Sequence, residues 1–295
     1  MRVLVTGVSG FAGSFIARHL ARAGYDVVGN YRRRTAFLAA AEGQQNIEFR
    51  VGDLAAVGGL DGPFDAIIHV AASSPAPGIG ASQIVQDNVR STLALLDAAP
   101  AWSCKAFVLF SSISLYGEVK TAVLDENSPI INPDIYGTTK HIAECLVSER
   151  DSGLSGLALR LPGIIGSGAH RNWLSQVAMT LLREQPVKAF NLDAEFNNAV
   201  HVADLAIMIE ANLRRTWRGF EKVTLGAGSR ITIRNVIERL AVALEMPAKI
   251  EVVPPRKSPF ILSSERAIDR WHYSPMTIED MLDRYGHEVR GALQA

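Results

Sequence analysis

The stretch TGVSGFAG, residues 6–13, decides the fold because it directly follows the apolar run from Arg2 to Thr6. That run has the short, β-branched composition of a strand, and the apolar residues after the stretch recur with helical spacing. Gly7, Gly10 and Gly13 therefore lie between a predicted strand and a predicted helix. Glycines placed in this way let backbone N–H groups approach a pyrophosphate, and the helix N-terminus favours the anion. An ordinary glycine-rich turn is the alternative to this dinucleotide-binding interpretation.

The first half of the chain continues as short β-branched runs that alternate with amphipathic segments, a pattern typical of βαβ units. It predicts six parallel strands, at Arg2 to Thr6, Asp26 to Asn30, Ile47 to Val51, Ala66 to Val70, Ala106 to Phe110 and Leu157 to Arg160. Long helices are predicted at Ser82 to Ala99 and Pro133 to Ser152. The fold class that follows is α/β, a Rossmann-like doubly wound parallel sheet.

The alternation loosens after Pro162, where helices are predicted near 172–184 and 202–214 and strands near 222–225 and 250–253. We therefore expect residues 1–162 to form a dinucleotide-binding Rossmann domain. Residues 163–295 should form mainly a smaller C-terminal substrate-binding lobe, with some segments returning to the Rossmann domain. Turn-rich loops at 58–63 and 73–80 follow predicted strands, which is where open sheets bind their ligands.

The composition argues against several classes of function. The 295 residues are 48% apolar, and 30 Lys and Arg balance 30 Asp and Glu, so there is no basic field to hold nucleic acid or anionic lipid. The opening lacks the pattern of a signal peptide, and no run of about eighteen apolar residues follows, so we expect a cytoplasmic protein without a membrane segment. Two cysteines without a CxxC pair predict neither a disulfide framework nor a metal site.

Several further motifs follow the glycine-rich stretch in order: VGDL, HVAA, DNVRSTLALLDAA, FSSISLYG, YGTTK, RLPGIIGSG and HVADLA. The ordered set resembles the extended short-chain dehydrogenase/reductase family, of the NAD-dependent epimerase/dehydratase type, over nearly the whole chain. The resemblance implies cofactor contacts at Gly7, Gly10, Phe11, Ala12, Gly13, Tyr31, Arg32, Asp53, Leu54, Ala71, Ala72, Asn88, Tyr136, Lys140 and Pro162. By the same analogy, the two long predicted helices would pair with those of a second copy in a homodimer.

Three residues are the candidate catalytic set. Tyr136 and Lys140 are four residues apart on a predicted helix, so their side chains share one face. A lysine ammonium close to the phenol would stabilise the phenolate and make the tyrosine usable as a base. The resemblance adds Ser112, at the end of the preceding strand, as the hydroxyl that shares the substrate oxygen with Tyr136. A YxxxK pattern without this context would occur by chance on many helices.

The form of the cofactor depends on the end of the second strand, where an acid binds the ribose 2′-OH of NAD and a cation accommodates the 2′-phosphate of NADP. In this sequence Tyr31 takes the place of the acid and Arg32 follows it. This arrangement favours NADP(H), with NAD(H) as the other possibility. The run from Arg32 to Arg34 has a simpler interpretation as an exposed helix start.

The substrate side departs from the family pattern. Gly163 stands where relatives that bind sugar nucleotides usually carry an asparagine, and Asn197 stands where they commonly carry an arginine. Both replaced side chains hold the diphosphate in the family, so a nucleotide-linked substrate becomes less certain. The candidate substrate residues are Ser73, Ser112, Gly163, Arg171 and Arg256, although the two arginines could simply be surface residues.

The reaction implied by the resemblance is hydride transfer at the carbonyl or hydroxyl of a sugar or nucleotide sugar, assisted by Ser112, Tyr136 and Lys140. Dehydratases of the family carry an acid pair just after the catalytic hydroxyl residue, whereas Ile113, Ser114 and Leu115 follow here. Dehydration is therefore disfavoured. The leading hypothesis is an NAD(P)-dependent oxidoreductase, and the runner-up is a nucleotide-sugar epimerase that keeps its cofactor bound. A non-catalytic dinucleotide sensor is a third hypothesis, disfavoured because a sensor needs none of the three catalytic residues.

Overall fold

The computed structural model describes residues 1–57, 59–150 and 153–294. The strands are β1 Arg2–Thr6, β2 Asp26–Tyr31, β3 Ile47–Val51, β4 Ala66–His69, β5 Ala106–Ser112, β6 Val123–Leu124, β7 Ser155–Leu161, β8 Gly163–Ile165, β9 Val187–Ala189, β10 Glu195–Phe196, β11 Ala199–His201, β12 Phe220–Thr224, β13 Ile231–Thr232, β14 Ile250–Val252 and β15 Ile261–Leu262. The helices are α1 Phe11–Arg22, α2 Ala36–Ala39, α3 Ala81–Val85, α4 Ser91–Ala98, α5 Ile135–Ser148, α6 Trp173–Leu182, α7 Val202–Leu213, α8 Ile233–Leu244, α9 Glu265–Trp271 and α10 Ile278–Gln294. In the part of the chain that the structure describes, no helix is long and apolar enough to cross a membrane.

The central sheet has seven strands in the order β12-β7-β5-β4-β1-β2-β3. Strand β1 pairs in parallel with β2 on one side and with β4 on the other, so the strand order reverses at β1. This reversal is the topological switch point at which open α/β sheets bind ligands. The α/β, doubly wound fold predicted from the sequence is confirmed.

The prediction of six strands was wrong by one. The seventh strand is β12, which lies at the sheet edge beside β7. The sequence predicts a strand at 222–225 but assigns it to the C-terminal half, because local patterning does not say which sheet a strand joins. Which sheet a strand joins is decided by its pairing with strands that are distant in the sequence.

The described residues fall into two compact units. The first comprises Met1–Glu118, Pro129–Arg160 and Ala206–Val223, and the second comprises Val119–Ser128, Leu161–Leu205 and the residues from Thr224 onward. The core of the first unit is formed by side chains of the sheet and of the helices beside it, such as Ile67, Phe107 and Leu95, which are fully buried. The predicted role of the C-terminal lobe in substrate binding stays a prediction.

The second unit is built from short strand pairs around a helical core. The strands pair as β8 with β11, β9 with β14, β6 with β15 and β10 with β13. Helices α6, α8 and α10 supply the largest share of its core, including Leu181, Leu240 and Met281, which are fully buried. Of these three helices, the sequence analysis predicted only α6, as the helix near 172–184.

Both long predicted helices differ from expectation in detail. The segment Ser82 to Ala99 forms α3, then the π-helical turn Gln86–Arg90, then α4. The helix predicted at 133–152 is α5, which begins after Asp134, whose carboxylate accepts a hydrogen bond of 2.7 Å from the N–H of Gly137. Residues 151–152, with Gly58 of the predicted loop at 58–63, lie outside the described residues.

Candidate active site

The glycine-rich turn is shaped to hold an anion. Gly7 has a φ of +73°, and its carbonyl accepts a hydrogen bond of 2.9 Å from the N–H of Gly10. A Cβ on Gly13 would stand 2.3 Å from the Gly7 oxygen, so only glycine allows α1 to approach the turn this closely. Gly10 precedes α1 and offers no side chain to cap it, which leaves N–H groups of the first turn for a ligand. The turn therefore fits a pyrophosphate.

A cleft of about 270 Å³ opens beside this turn. Predicted cofactor residues that line it are Gly7, Gly10, Ala12, Gly13, Tyr31, Arg32, Asp53, Leu54, Ala71 and Ala72. Ser73, predicted as a substrate residue, lies in the wall of the same cleft, as does Asp87, which the sequence analysis did not single out. The size and lining of the cleft fit the adenosine and pyrophosphate parts of a nicotinamide dinucleotide.

Two of the predicted cofactor residues support the cleft from behind. Phe11 is buried at the start of α1, and its ring centroid is 6.3 Å from that of Phe37. Asn88 is also buried, and its side chain accepts from the N–H of Ser73 at 2.7 Å. The amide of Asn88 also donates to the Ser73 carbonyl and to the Thr139 hydroxyl, both at 3.0 Å. Asn88 thus fixes the Ser73 loop and ties it to α5.

His69, at the end of β4, is a buried connector. Thr6 accepts hydrogen bonds from the N–H groups of Val70 and Ala71, so its own hydroxyl proton is free to donate to Nδ1 of His69, 2.9 Å away. Nε2 then carries the ring proton and donates to the Thr92 hydroxyl at 3.1 Å. Burial, with a smaller contribution from the Lys140 charge, lowers the pKa of His69 to about 3. The ring is therefore neutral and holds structure.

The candidate catalytic side chains meet at the carboxyl end of β5. Ser112 is the last residue of β5, and its hydroxyl accepts from the N–H of Ser114 at 3.1 Å, opening the 3₁₀ turn Ile113–Tyr116. A Cβ on Gly137 would stand 2.2 Å from the carbonyl oxygen of Ser114, so glycine lets α5 press against this turn. That close approach brings Tyr136 near Ser112, close enough for the serine to act on the pKa of the phenol.

Lys140 is buried one helical turn beyond Tyr136. Its Nζ donates to the carbonyl oxygen of Phe110 at 2.6 Å and lies 5.7 Å from the centroid of the Tyr136 ring. Burial lowers the pKa of Lys140 to about 8, while the charge of Glu144 opposes that shift. The ammonium form is therefore only moderately stable, and it is lost as the pH rises through about 8.

The net shift in the pKa of Tyr136 is opposite in direction to the one expected beside Lys140. Burial raises the pKa of Tyr136 to about 12, although its hydrogen bond with Ser112 acts in the opposite direction. The physical reason is that desolvation penalises the phenolate. Tyr136 is consequently held as a protonated phenol, which suits it to donate a proton to a carbonyl oxygen.

A buried ion pair stands directly behind this array. Arg160 of β7 is 2% exposed and donates to Glu144 of α5 through Nη2 at 2.7 Å and Nε at 3.1 Å. The Ser111 hydroxyl donates to the same carboxylate at 2.5 Å, and Arg160 Nη1 donates to the Tyr116 hydroxyl at 2.8 Å. The pair therefore connects β5, β7, α5 and the turn after Ser112. The sequence analysis did not identify this ion pair. The one signal for it in the sequence is that Glu144 follows Lys140 by four residues, which places both on one helix face.

Gly163 and Asn197, the two positions that depart from the family pattern, both contact neighbouring residues of the second unit. A Cβ on Gly163 would lie 3.1 Å from the Cβ of Asn172, whose Oδ1 caps α6 and whose Nδ2 donates to the Ile164 carbonyl at 2.9 Å. Asn197 is buried and uses both polar atoms on the backbone of Leu262, each at 2.8 Å. Both asparagine side chains are therefore engaged with nearby backbone groups of the second unit.

The remaining predicted residues of the second unit are Pro162, Arg171 and Arg256. The two arginines are exposed, and Arg171 has a φ of +61° in the segment before α6. Their predicted roles in cofactor or substrate binding stay predictions. Among the described residues, no group of three or more His, Cys, Asp or Glu is arranged to hold a metal ion.

Comparison with known proteins gives a consistent result at the level of family. The family model described as "NAD dependent epimerase/dehydratase family" matches residues 3–224. The UDP-glucose 4-epimerase of Corynebacterium glutamicum is 26% identical, with 93% of this chain and 91% of that protein aligned. The UDP-glucose 4-epimerase of Streptomyces lividans is 27% identical, with 87% of this chain and 84% of that protein aligned.

Solved structures show the same fold at lower identity. The Bacillus cereus UDP-glucuronic acid 4-epimerase, in complex with UDP-glucuronic acid and NAD, superposes with a TM-score of 0.83 at 21% identity, covering 99% of this chain and all of that one. The Bifidobacterium longum UDP-glucose 4-epimerase, in complex with NAD⁺ and UDP, gives 0.81 at 22% identity, covering 99% of this chain and 98% of that one.

The buried pair makes a direct prediction about stability. Glu144→Gln removes the buried carboxylate that accepts from Nε and Nη2 of Arg160, and we expect it to lower the free energy of unfolding by about 3–5 kcal/mol. Asp97→Asn, which breaks the exposed Arg150–Asp97 pair, should cost less than about 1 kcal/mol. Urea denaturation measures both. The double variant Glu144→Gln/Arg160→Met should recover most of the stability that Glu144→Gln loses. Equal losses of stability in Glu144→Gln and Asp97→Asn would contradict the account.

Proposed function

Since the chain belongs to the NAD dependent epimerase/dehydratase family, we propose that it interconverts the hydroxyl epimers of a nucleoside-diphosphate sugar with a nicotinamide cofactor that stays bound. The observation that carries the proposal is that Ser112, Tyr136 and Lys140 are assembled in the same unit as the glycine-rich turn and its cleft. The substrate class is supported by the relatives, which are UDP-glucose 4-epimerases.

Each side chain has a distinct task in this proposal. When bound, the nicotinamide would supply or accept the hydride that changes the oxidation state of the sugar carbon. The hydroxyls of Ser112 and Tyr136 hold the sugar oxygen between them. Tyr136 gives that oxygen a proton when a carbonyl is reduced, and the phenolate left behind takes a proton back when an alcohol is oxidised. Lys140 supplies positive charge beside the phenol, which supports the step in which the proton leaves it.

Elimination of water is not part of the proposed reaction. The residues after Ser112 are Ile113, Ser114 and Leu115, which form the 3₁₀ turn and offer no carboxylate. A dehydration step needs an acid and a base in addition to hydride transfer. The proposed chemistry is therefore restricted to oxidation and reduction at one carbon.

We propose NAD(H) as the cofactor of the natural protein. The preference for NADP(H) predicted from the sequence rests on Arg32, and this guanidinium is paired with Asp87. A compensated cation is a weaker binder of a 2′-phosphate than a free one. The preference for NADP(H) thus stays a prediction from the sequence. The ion pair between Arg32 and Asp87 argues against it.

A net ketoreductase is the second candidate, and the filled positions in the second unit favour it. Asn172 and Asn197 use their side-chain polar atoms locally, so a substrate without a diphosphate would lose no partner at these two places. Such an enzyme would consume one reduced cofactor for each turnover. The non-catalytic sensor remains the least favoured hypothesis, because it does not account for the meeting of Ser112, Tyr136 and Lys140 in one place.

We also propose that the protein acts as a homodimer in the cytoplasm. Apolar side chains are exposed on the helices that the sequence analysis assigned to the subunit interface. Val85 and Leu93 lie on α3 and α4, and Ile135 and Ile142 lie on α5, each between 38% and 40% exposed. Sedimentation equilibrium should therefore give about twice the chain mass of 31.9 kDa. A single-chain mass at micromolar concentration would contradict the dimer.

The reaction itself is tested by incubating the purified protein with UDP-glucose or UDP-galactose and following the sugar signals by NMR. We expect interconversion of the two epimers without net consumption of NADH. Tyr136→Phe should slow turnover at least about a hundredfold because it removes the transferable proton, while NADH still binds. Tyr25→Phe, which removes only a hydroxyl that accepts from Arg214, is the matched control with near-normal turnover.

Two outcomes would change the proposal. Steady consumption of added NADH, with a keto sugar as substrate, would replace the epimerase with the ketoreductase. Normal turnover by Tyr136→Phe would remove Tyr136 from its catalytic role in either reaction.

The pH profile tests Lys140. Because the pKa of Lys140 lies at about 8, its ammonium is present below that pH and lost above it, so kcat/KM should fall as the pH rises through about 8. Tyr136 does not account for this limb, since its pKa of about 12 lies well above the pH at which the rate should fall. Initial rates in buffers of constant ionic strength measure the profile. A level profile through about pH 10 would show that the ammonium is not needed.

A further inference from the structure

An ion pair joins two walls of the cofactor cleft. Arg32 is the first residue after β2, and Asp87 lies in the π-helical turn Gln86–Arg90. The guanidinium donates from Nη1 to one carboxylate oxygen at 2.9 Å and from Nη2 to the other at 3.2 Å. Both residues line the cleft. The end of β2, where a cofactor ribose is recognised, thus carries a cation that is already engaged.

Asp87 is held as a carboxylate by further donors. The hydroxyl of Ser73 donates to it, and the side-chain amide of Gln83 donates at 2.7 Å. Burial alone would raise the pKa of Asp87, but the hydrogen bonds from Arg32 and Ser73 outweigh it and keep the pKa below its usual value. The side chain of Asp87 is only 11% exposed, against 52% for Arg32, so the aspartate is the fixed member of the pair.

The two forms of the cofactor meet this pair differently. In dinucleotide-binding folds, a carboxylate at the end of the second strand accepts from the ribose 2′-OH, and a cation there receives the 2′-phosphate. Here Tyr31 ends β2 without a carboxylate, and Asp87 brings one from the opposite wall. A 2′-phosphate would have to displace Asp87 from Arg32 and would then lie close to two negative charges, Asp87 and Asp53. A neutral 2′-OH leaves the pair intact.

We propose that Asp87 is a specificity-determining residue that disfavours the 2′-phosphate of NADP(H) by holding Arg32, so that the cleft selects NAD(H). The inference rests on the proposed function, because it concerns the cofactor of that same site. The π-helical turn has a part in it, since it sets the direction in which Asp87 projects from the helix. Turns of this kind are frequent at functional sites.

Asp87→Asn tests the proposal because it keeps the size of the side chain and removes its charge. Titrations with NADH and NADPH, followed by nicotinamide fluorescence at fixed ionic strength, give two dissociation constants for each variant. We expect the affinity for NADPH relative to NADH to rise at least about tenfold over the natural protein, the scale of one charge-assisted hydrogen bond. The gain should disappear in Asp87→Asn/Arg32→Ala, since no guanidinium is then left to receive the phosphate.

Glu42→Gln is the matched control. It changes the net charge by the same amount and releases the neighbouring Arg34 from its ion pair with Glu42. The NADPH-to-NADH ratio should stay within about twofold of the natural value, because this pair does not line the cleft. An equal gain in Glu42→Gln would mean that overall charge, and not Asp87, sets the preference, and this would overturn the proposal.

Arg32→Ala is an independent test of the role of Asp87 if Asp87→Asn does not fold. It leaves the Asp87 carboxylate unpaired in the cleft, so the NADPH-to-NADH ratio should fall below that of the natural protein. An unchanged ratio in either variant, with NADH binding intact, would overturn the role of Asp87 and leave the proposed function standing. Failure of the natural protein to bind either nucleotide would instead overturn the proposed function.

Discussion

The buried ion pair between Arg160 and Glu144 is the interaction on which the arrangement of the candidate catalytic residues depends. It lies in a core where an unpaired charge would be costly, so the two residues require each other. Through Ser111 and Tyr116 it also fixes the strand and the turn on either side of Ser112. Ser112 and the helix that carries Tyr136 and Lys140 are therefore held by one set of contacts.

The cofactor cleft is joined to the catalytic helix by a second chain of buried hydrogen bonds. The chain runs from Thr6, beside the glycine-rich turn, through His69 and Thr92 to Asn88, and from there to Thr139 on α5. Because every member is a neutral group with a partner, the chain is insensitive to pH in the working range and serves to keep distances fixed. The glycine-rich turn and the helix that carries Tyr136 and Lys140 are thereby parts of one framework.

The fold and the placing of Tyr136 and Lys140 on one helix face could be predicted because their signals are local. Glycine spacing between a strand and a helix, and the four-residue spacing of Tyr136 and Lys140, are visible in the sequence alone. The joining of β12 to the central sheet was not, because strand pairing is a long-range choice. The π-helical turn was also missed, since the apolar spacing through 82–99 reads as one continuous helix.

The charges in the site were harder to anticipate. In the sequence Arg32 looked like a free cation. Its partner Asp87 lies 55 residues further along the chain, and no local pattern indicates that the two residues pair. The pKa of Tyr136 was expected to fall beside Lys140, yet burial raises it, and burial depends on packing that only the structure gives. Gly163 and Asn197 were recognised as departures, but the contacts that fill them come from Asn172 and Leu262.

The central claim is that the glycine-rich turn and the Ser112–Tyr136–Lys140 array form a single site for a nicotinamide dinucleotide and its substrate. A crystal structure of the protein with NAD bound tests this most directly. The account predicts the pyrophosphate at the N-terminus of α1 and the nicotinamide ribose within hydrogen-bond distance of Lys140 or Tyr136. A pyrophosphate bound elsewhere, or a nicotinamide directed away from Tyr136, would contradict it.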